Sequence, residues 1–376
     1  MRARGRYTLL VGAVIAVTLV LSSCGSTKSD DTGPAESDAE VAAAVKEAER
    51  TVATYTAEQD PIEVAPLTQP APAGARVAIL TCIVPTCAAG TDPAAEAAEH
   101  VGWTVMQQQC QLTPEAYTAC WNTALQQDPD VIIYVSFFPA ALVKDQIAEA
   151  KSREIPLVAI TYNDASFADS QADAASSGSP ELAQSGELMG SVITADAGGP
   201  TDVVFVWDPT LKNTLTPLKE GLEKVTDAAG ITVQTLDISI SDVGSAVPSQ
   251  VVNYLQRHPE VKYIAMCEAD FGAGLPQALK AAGLADKVKI VSRVPHAADL
   301  SQIKDGEQFA SVAEEVGAAG YRAVDHAIRL LTTGQTVDND HPGWHQIMVA
   351  DSITDTSSEP QTPGVPDAFY DAWNVG

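Results

Sequence analysis

Histidines and cysteines are the side chains of this chain that could most readily bind a metal or catalyse a reaction. The six histidines are scattered, and the sequence contains no HExxH, no GxSxG and no GxxxxGK[ST], the motifs of zinc hydrolases, serine hydrolases and phosphate-binding loops. His341 and His345 are four residues apart, but Pro342 and Gly343 between them prevent the helical face that a metal pair needs. We therefore predict that the chain is not an enzyme and holds neither a metal nor a cofactor.

The first cysteine belongs to an export signal. Arg2, Arg4 and Arg6 precede an apolar run that ends at Leu21-Ser22-Ser23-Cys24. Because the run is too short to span a bilayer comfortably, residues 1–23 are predicted to be a cleaved signal peptide. The Leu-Ser-Ser-Cys sequence resembles a bacterial lipobox, which implies that Cys24 carries lipid and anchors the protein to the outer face of the cell membrane. An ordinary secretory peptide with an incidental cysteine is the alternative.

The other cysteines are predicted to form disulfides. Lipid on Cys24 leaves five cysteines, so at least one stays unpaired within the chain: Cys82, Cys87, Cys110, Cys120 and Cys267. Disulfides persist outside the cytoplasm, and four cysteines allow three pairings. We favour Cys82–Cys87 and Cys110–Cys120, with Cys267 as a buried free thiol. Zinc is the competing interpretation, but no CxxC spacing or nearby histidine supports it.

Composition and net charge limit the classes of partner that the chain can bind. The formal net charge is −27, and a surface this acidic repels phosphate backbones and anionic lipid, so we predict no nucleic-acid binding. Residues 24–38 are polar and suit a flexible tether. Residues 39–74 are predicted to form a helix and a proline-rich connector. The remainder, about 300 residues, suits two lobes of ordinary size.

From Ala75 onward, short apolar runs alternate with amphipathic helical patterns, which predicts α/β lobes with parallel sheets covered by helices on both faces. Thr113-Pro114-Glu115 is typical of a helix start, with an N-cap hydroxyl and a proline at the first helical position. The predicted strands are Val77–Thr81, Thr104–Gln108, Val131–Ser136 and Leu157–Thr161. The predicted helices lie near Pro93–Val101, Pro114–Gln127 and Ala140–Arg153.

The second half of the chain repeats the first. The segment 102–105, Gly-Trp-Thr-Val, corresponds to 230–233, Gly-Ile-Thr-Val, and the segments 125–131 and 255–261 share a Pro followed by an acid and Val. Matched segments in the same order indicate two similar Rossmann-like lobes, although chance resemblance of α/β units is the alternative. Ligands of such sheets bind at the carboxyl ends of the strands.

Residues at those strand ends and connections are the candidate ligand contacts: Ile83, Phe137, Asn163, Trp207, Asn213, Asp270, Arg293 and Glu315. The aromatic and apolar members favour a flat-faced or partly apolar small molecule. Core packing is the alternative for the aromatic side chains, and helix capping for the polar ones. The guanidinium of Arg293 could bind a ligand carboxylate or pair with Glu315.

Residues from Ala75 to about Val337 resemble type I periplasmic binding proteins of the ribose- and galactose-binding kind. The resemblance is carried by segments such as Gln127–Ile133, Ile155–Val158 and Leu218–Leu222, in the order of the family. It implies two lobes joined by three crossovers, placed here near Ser176–Pro180, Ser292–Pro295 and Ala313–Val316. Lobe 1 would then comprise 75–178 and 295–314, and lobe 2 would comprise 179–294 and 315–376.

The same resemblance implies a monomer that closes around a sugar-like ligand and delivers it to an ABC permease. A sensor of the same fold, coupled to a membrane kinase or chemoreceptor, is the alternative. The pocket pattern departs from the family, because sugar-binding members usually place Asn-Asp where this chain has Glu268-Ala269-Asp270 and Asp where it has Val294. Because these Asn and Asp side chains are replaced, a simple hexose or pentose is less favoured as the ligand.

Overall fold

The computed structural model describes residues 34–336 and 343–374. The predicted signal peptide, the lipidation site at Cys24 and most of the predicted tether lie outside these residues. Within them, no helix has both the length and the apolar character needed to cross a bilayer.

The first lobe is built on a parallel five-stranded sheet with strand order β2-β1-β3-β4-β5. Its strands are β1 Arg76–Cys82, β2 Thr104–Cys110, β3 Val131–Val135, β4 Leu157–Thr161 and β5 Ala174–Ser177. The helices between them are α2 Pro85–His100, α3 Pro114–Gln126, α4 Lys144–Ser152 and α5 Phe167–Ser170. Nearly every residue of β1, β3 and β4 is buried, as expected of a sheet covered on both faces.

The second lobe repeats this plan with six strands in the order β11-β10-β9-β8-β6-β7. Its strands are β6 Asp202–Trp207, β7 Thr232–Asp237, β8 Val261–Met266, β9 Lys289–Arg293, β10 Ala310–Glu314 and the antiparallel β11 His345–Met348. Its helices are α6 Ser179–Ala197, α7 Lys212–Ala228, α8 Val247–Arg257, α9 Leu275–Ala282 and α10 Ala297–Lys304. The predicted fold class of two lobes with largely parallel sheets is confirmed.

The internal repeat predicted from the sequence appears in the strand pairing. In the first lobe Arg76 pairs with Thr104, and in the second lobe Asp202 pairs with Thr232 in the same parallel register. The Thr113 side chain caps α3 by accepting a hydrogen bond from the Ala116 N–H at 3.3 Å. Helix α2 begins at Pro85 rather than near Pro93, because Pro85 occupies the first helical turn and Pro93 is tolerated inside the helix.

The lobe boundaries differ from those predicted at the second and third crossovers. Residues 295–314 do not lie in lobe 1, because β10 pairs with β9 in the second sheet and α10 packs on β10. The chain crosses instead after β10, since α11 Val316–Thr333 packs on α2 and buries its apolar face in the first lobe's core. It returns to the second lobe between Thr333 and His345. The predicted crossing near Ser176–Pro180 does join β5 to α6.

Both ends of the described chain also run across the two lobes. Helix α1 Pro34–Thr56 packs on α6 of the second lobe, whereas Leu67 in the following connector is buried in the core of the first. Helix α12 Asp367–Trp373 likewise returns to the first lobe's core, although residues 315–376 were assigned to lobe 2. The backbone N–H groups of Ile62 and Leu67 donate to Pro363 O and Ala372 O, so the two segments brace each other.

Glycines allow the helices beside each sheet to pack at backbone distance. In the second lobe, a Cβ at Gly186 of α6 would lie 1.9 Å from Leu218 O of α7, and a Cβ at Gly221 would lie 2.1 Å from Ala183 O. In the first lobe, a Cβ at Gly320 of α11 would lie 2.2 Å from Gly90 O of α2. In both lobes, therefore, glycine residues allow neighbouring helices to pack in close contact.

Replacing Gly186 by Ala is expected to lower stability by about 1–3 kcal/mol, because the added methyl forces α6 and α7 apart. The measurement is the thermal midpoint, which should fall by a few degrees. Gly272→Ala is the matched control, since a Cβ there meets nothing within 4 Å. Equal midpoints for the two variants would contradict the close approach of α6 to α7.

Candidate functional site

A cavity of about 170 Å³ lies between the lobes, at the carboxyl ends of both sheets. Its wall includes Cys82 and Thr161 at the ends of strands β1 and β4, and Arg293 and Glu314 at the ends of β9 and β10. Strand ends and their loops meet here because both sheets present the same edge to the cleft. The cavity is therefore where a small ligand could contact both lobes at once.

The structure places four of the predicted contact residues in the cavity wall: Phe137, Asp270, Arg293 and Glu315. The other four lie elsewhere. Ile83 is 45% exposed, and neither Asn213 nor Trp207 reaches the wall. The Trp207 ring packs on Phe205, and its indole N–H donates to Asp237 Oδ1 at 2.8 Å, which holds it over β7.

Asn163 is 1% exposed and spans the lobes rather than lining the cavity. Its side-chain oxygen accepts a hydrogen bond from the Thr214 hydroxyl of α7. On the other side of the cleft, the Thr86 hydroxyl of α2 donates to Asp270 Oδ2 at 2.7 Å. These two hydrogen bonds join the lobes directly across the cleft.

The predicted disulfides Cys82–Cys87 and Cys110–Cys120 are present, and Cys267 is a buried free thiol. Cys82 and Cys87 both line the cavity. Their disulfide ties the end of β1 to the first turn of α2, which carries Thr86. In the described residues, no group of His, Cys, Asp and Glu side chains is arranged to hold a metal ion.

A buried guanidinium organises the polar part of the wall. Arg293 is 5% exposed, and its Nε donates to Cys267 O at 2.8 Å. Its Nη1 donates to both carboxylate oxygens of Glu314 at 2.7 Å, and its Nη2 donates to Glu268 Oε1. Arg293 therefore pairs with Glu314 and Glu268 rather than with Glu315, the partner suggested by the sequence.

Glu315 belongs to a separate pair at the crossover after β10. Its carboxylate accepts from Arg322 of α11 at 3.2 Å and from the Trp344 N–H at 3.1 Å. The neighbouring carboxylate, Glu314, accepts from the hydroxyl of Ser185 on α6. The sequence suggests Glu315 as the partner of Arg293, whereas the structure shows Glu314 in that place. The two residues are adjacent, and the point at which β10 ends determines which carboxylate faces Arg293.

The two carboxylates beside Arg293 are in different electrostatic environments. Burial raises the pKa of Glu268 to about 7, and the attraction of Arg293 only partly opposes this. Burial also acts to raise the pKa of Glu314, but Arg293, His345 and Ser185 together outweigh it and lower that pKa. Glu314 is thus the fixed counter-ion of Arg293, and Glu268 is the carboxyl that can change charge near neutral pH.

The rest of the wall is mainly apolar. Phe137 packs against Tyr117 with ring centroids 4.5 Å apart, and from the second lobe Phe271 is almost fully buried. Aliphatic side chains complete this surface: Val84, Leu112, Leu211, Leu215, Ile240 and Val243. Such a wall favours a ligand with an apolar face and a small number of polar groups.

A histidine joins the rim of the cavity to the C-terminal segment. His296 Nε2 lies 3.1 Å from Asp270 Oδ1, and its Nδ1 lies 2.7 Å from Glu359 Oε1. Hydrogen bonds to Asp270 and Glu359, opposed by burial, raise the pKa of His296 to about 10. Protonated His296 therefore holds Asp270 in place for its contact with Thr86.

Comparison with known proteins gives both a family and a fold. The family described as periplasmic binding protein domain matches residues 89–336. The D-ribose/D-allose-binding protein of Pseudomonas aeruginosa is 28% identical over 125 residues, which are 33% of this chain and 38% of that relative. The chain thus matches less than half the length of this curated relative.

Solved structures resemble the chain over most of its length. The glucose-galactose binding protein GanP of Geobacillus stearothermophilus has a TM-score of 0.65 at 17% identity, covering 75% of this chain and 99% of that one. A carbohydrate transporter from Acidothermus cellulolyticus, in complex with myo-inositol, has a TM-score of 0.63 at 18% identity, covering 74% and 95%. At these identities the likeness shows the fold.

Replacing His296 by Gln is expected to lower the thermal midpoint at pH 7 by about 3 °C or more, because a charged hydrogen-bond donor is lost between two carboxylates. The pKa of His296 is raised by folding, so its stabilisation is complete below about pH 6.5 and is lost as the pH rises through about 10. The difference between the variant and the unmodified protein should therefore shrink from pH 7 to pH 10.

The measurement is a series of thermal unfolding curves across that pH range. His258→Gln is the control, since His258 pairs with Glu260 on the surface of the second lobe. A His296→Gln midpoint equal to that of the unmodified protein at pH 7 would show that the ion pairs of His296 do not stabilise the fold.

Proposed function

The chain belongs to the periplasmic binding protein family, and from that membership we propose that it is an extracytoplasmic solute-binding lipoprotein. It captures a small, sugar-like molecule between its lobes and delivers it to an ABC permease, with no reaction of its own. The observation that carries the proposal is the cavity shared by both lobes, with Thr86 and Phe137 contributed by the first lobe and Phe271 and Arg293 by the second.

Ligand contacts on both lobes explain why binding would favour closure. A ligand in this cavity touches strand ends of both sheets, whereas separated lobes can offer it only one set of contacts. The Thr86–Asp270 and Thr214–Asn163 hydrogen bonds hold the lobes together once they meet. A permease could then recognise the closed form by the relative position of the two lobes.

The dimensions and polarity of the cavity support a compact ligand. A volume of about 170 Å³ suits a molecule with a single ring rather than a chain of sugars. The names of the relatives support a sugar-like molecule: the Pseudomonas protein is named for ribose and allose, and the Geobacillus protein for glucose and galactose. The apolar wall supports a ligand that presents a ring face to Phe137.

The cysteines support the proposed location. Two disulfides suit an oxidising compartment outside the cytoplasm. A lipid on Cys24 would attach the protein to the outer face of the membrane, and α1 would link that anchor to the second lobe. We propose that the protein acts there as a monomer, because its own two lobes enclose the cavity.

The proposal is tested by thermal-shift screening of the purified protein against pentoses, hexoses, polyols and single-ring compounds. A ligand at 100 times its dissociation constant adds about 2.7 kcal/mol of stability, so at least one class should raise the midpoint clearly. Phe137→Ala should abolish that ligand-induced rise, because it removes the aromatic face of the cavity. Each variant's rise is measured against its own midpoint without ligand.

Trp207→Ala is the matched control, since Trp207 also ends a strand but packs over β7 outside the cavity. It should keep the ligand-induced rise even if its own midpoint is lower. Loss of the rise in Trp207→Ala but not in Phe137→Ala would place the binding site elsewhere. No rise with any class of compound would count against solute binding.

A further inference from the structure

The C-terminal segment connects the second lobe to the first beside the cleft. At its start, Ile353 is 2% exposed among side chains of α10, β10 and β11, and its carbonyl oxygen accepts from Lys304 Nζ at 2.7 Å. At its end, Pro363 O accepts from the Ile62 N–H at 3.0 Å, and Ile62 packs against the core of the first lobe. We call residues 353–363 the strap, since one end is fixed to each lobe.

One ion pair attaches the strap to the second lobe between these two ends. Glu359 Oε1 lies 2.7 Å from His296 Nδ1, and His296 lies between β9 and α10 at the rim of the cavity. Among the described residues, no other hydrogen bond joins strap residues 354–362 to the second lobe. The strap is therefore attached at this one point between its ends.

The position of this pair determines how much free chain connects the lobes. From Glu359 to Pro363 there are four residue steps, which span at most about 14 Å when fully extended. If the pair is broken, the free chain runs from Ile353 to Pro363, and its ten steps span at most about 35 Å. The His296–Glu359 pair therefore shortens the free part of the strap by more than half.

The pair lies next to a contact between the lobes. Asp270, which binds the other ring nitrogen of His296 at 3.1 Å, accepts from the hydroxyl of Thr86 at 2.7 Å and from its N–H at 3.3 Å. Thr86 belongs to α2 of the first lobe. Asp270 and His296 of the second lobe are thus bound on one side by α2 and on the other by the strap. Separation of the lobes at Thr86 must extend the strap.

The charges around His296 favour the pair. Four carboxylates surround this histidine: Asp270, Glu359, Glu268 and Asp299. The His296 N–H also donates to Asp299 Oδ2 at 2.9 Å, which holds the backbone at the start of α10. Since the hydrogen bonds to Asp270 and Glu359 raise the pKa of His296 to about 10, the pair is charged at neutral pH.

We propose that the strap limits how far the lobes open, and that the His296–Glu359 pair sets this limit by keeping the strap short. The proposal rests on the hinge motion of the solute-binding function above. Glu359 does not line the cavity. It is therefore a positioning residue, which acts on solute exchange through movement of the lobes rather than through contact with the solute.

The test is small-angle X-ray scattering of the purified protein without added solute. Because the Thr86 contact also holds the lobes together, Thr86→Val is the starting variant. Thr86→Val/Glu359→Ala should have a larger radius of gyration than Thr86→Val, by about 1 Å against the value of about 21 Å for a compact chain of this length. The reason is the longer free strap, which permits wider opening.

Asp351→Ala in the Thr86→Val background is the matched control. Asp351 is an exposed carboxylate just before the strap, so its loss changes the net charge equally and should leave the radius unchanged. His296→Gln in the same background breaks the pair from its other side and should increase the radius as Glu359→Ala does. A cooperative thermal transition in each variant shows that the protein is folded, and Glu359→Gln replaces any variant that is not.

Equal radii for Thr86→Val and Thr86→Val/Glu359→Ala would overturn the proposal, and so would an equal increase with Asp351→Ala. A lower thermal midpoint with an unchanged radius would show that the pair only stabilises the fold, which also overturns it. These results would leave solute binding intact, because the scattering experiment uses no solute. The solute-binding function fails separately, if no compound in the thermal-shift screen raises the midpoint.

Discussion

The buried guanidinium of Arg293 is the constraint on which the cleft of the second lobe depends. A charge with 5% exposure must be paired, and the strands on either side of β9 supply the partners: Cys267 and Glu268 after β8, and Glu314 on β10. The strand ends are thereby fixed relative to one another. Ser185 of α6 also donates to Glu314, so the cluster extends to the first helix after the crossover.

From this cluster the arrangement of the cleft follows. The fixed strand ends place Asp270 opposite Thr86, and His296 connects Asp270 to the C-terminal segment through Glu359. That segment and the N-terminal connector are hydrogen-bonded to each other and run across both lobes. Any opening of the lobes must therefore be accommodated by these braces as well as by the crossovers after β5 and β10.

Much of the fold could be predicted from local sequence pattern, because repeated apolar strands and capped helices are local properties. The β4 bounds, the α3 cap and the repeat at 102–105 and 230–233 were all predicted in this way. Lobe assignment after β9 was wrong because it depends on which sheet a strand joins, a long-range choice that periodicity does not encode. Two site predictions were wrong for the same reason. The sequence pattern did not show that Glu314 rather than Glu315 pairs with Arg293, or that Trp207 lies outside the cavity.

The most direct test is a crystal structure of the protein grown with the compound that raises its thermal midpoint most in the screen. We expect the compound in the cavity between the lobes, against Phe137 and Phe271, with Arg293 still bound to Glu314. A compound bound outside the cleft, or one inside it that has displaced Arg293 from Glu314, would contradict the proposed binding site.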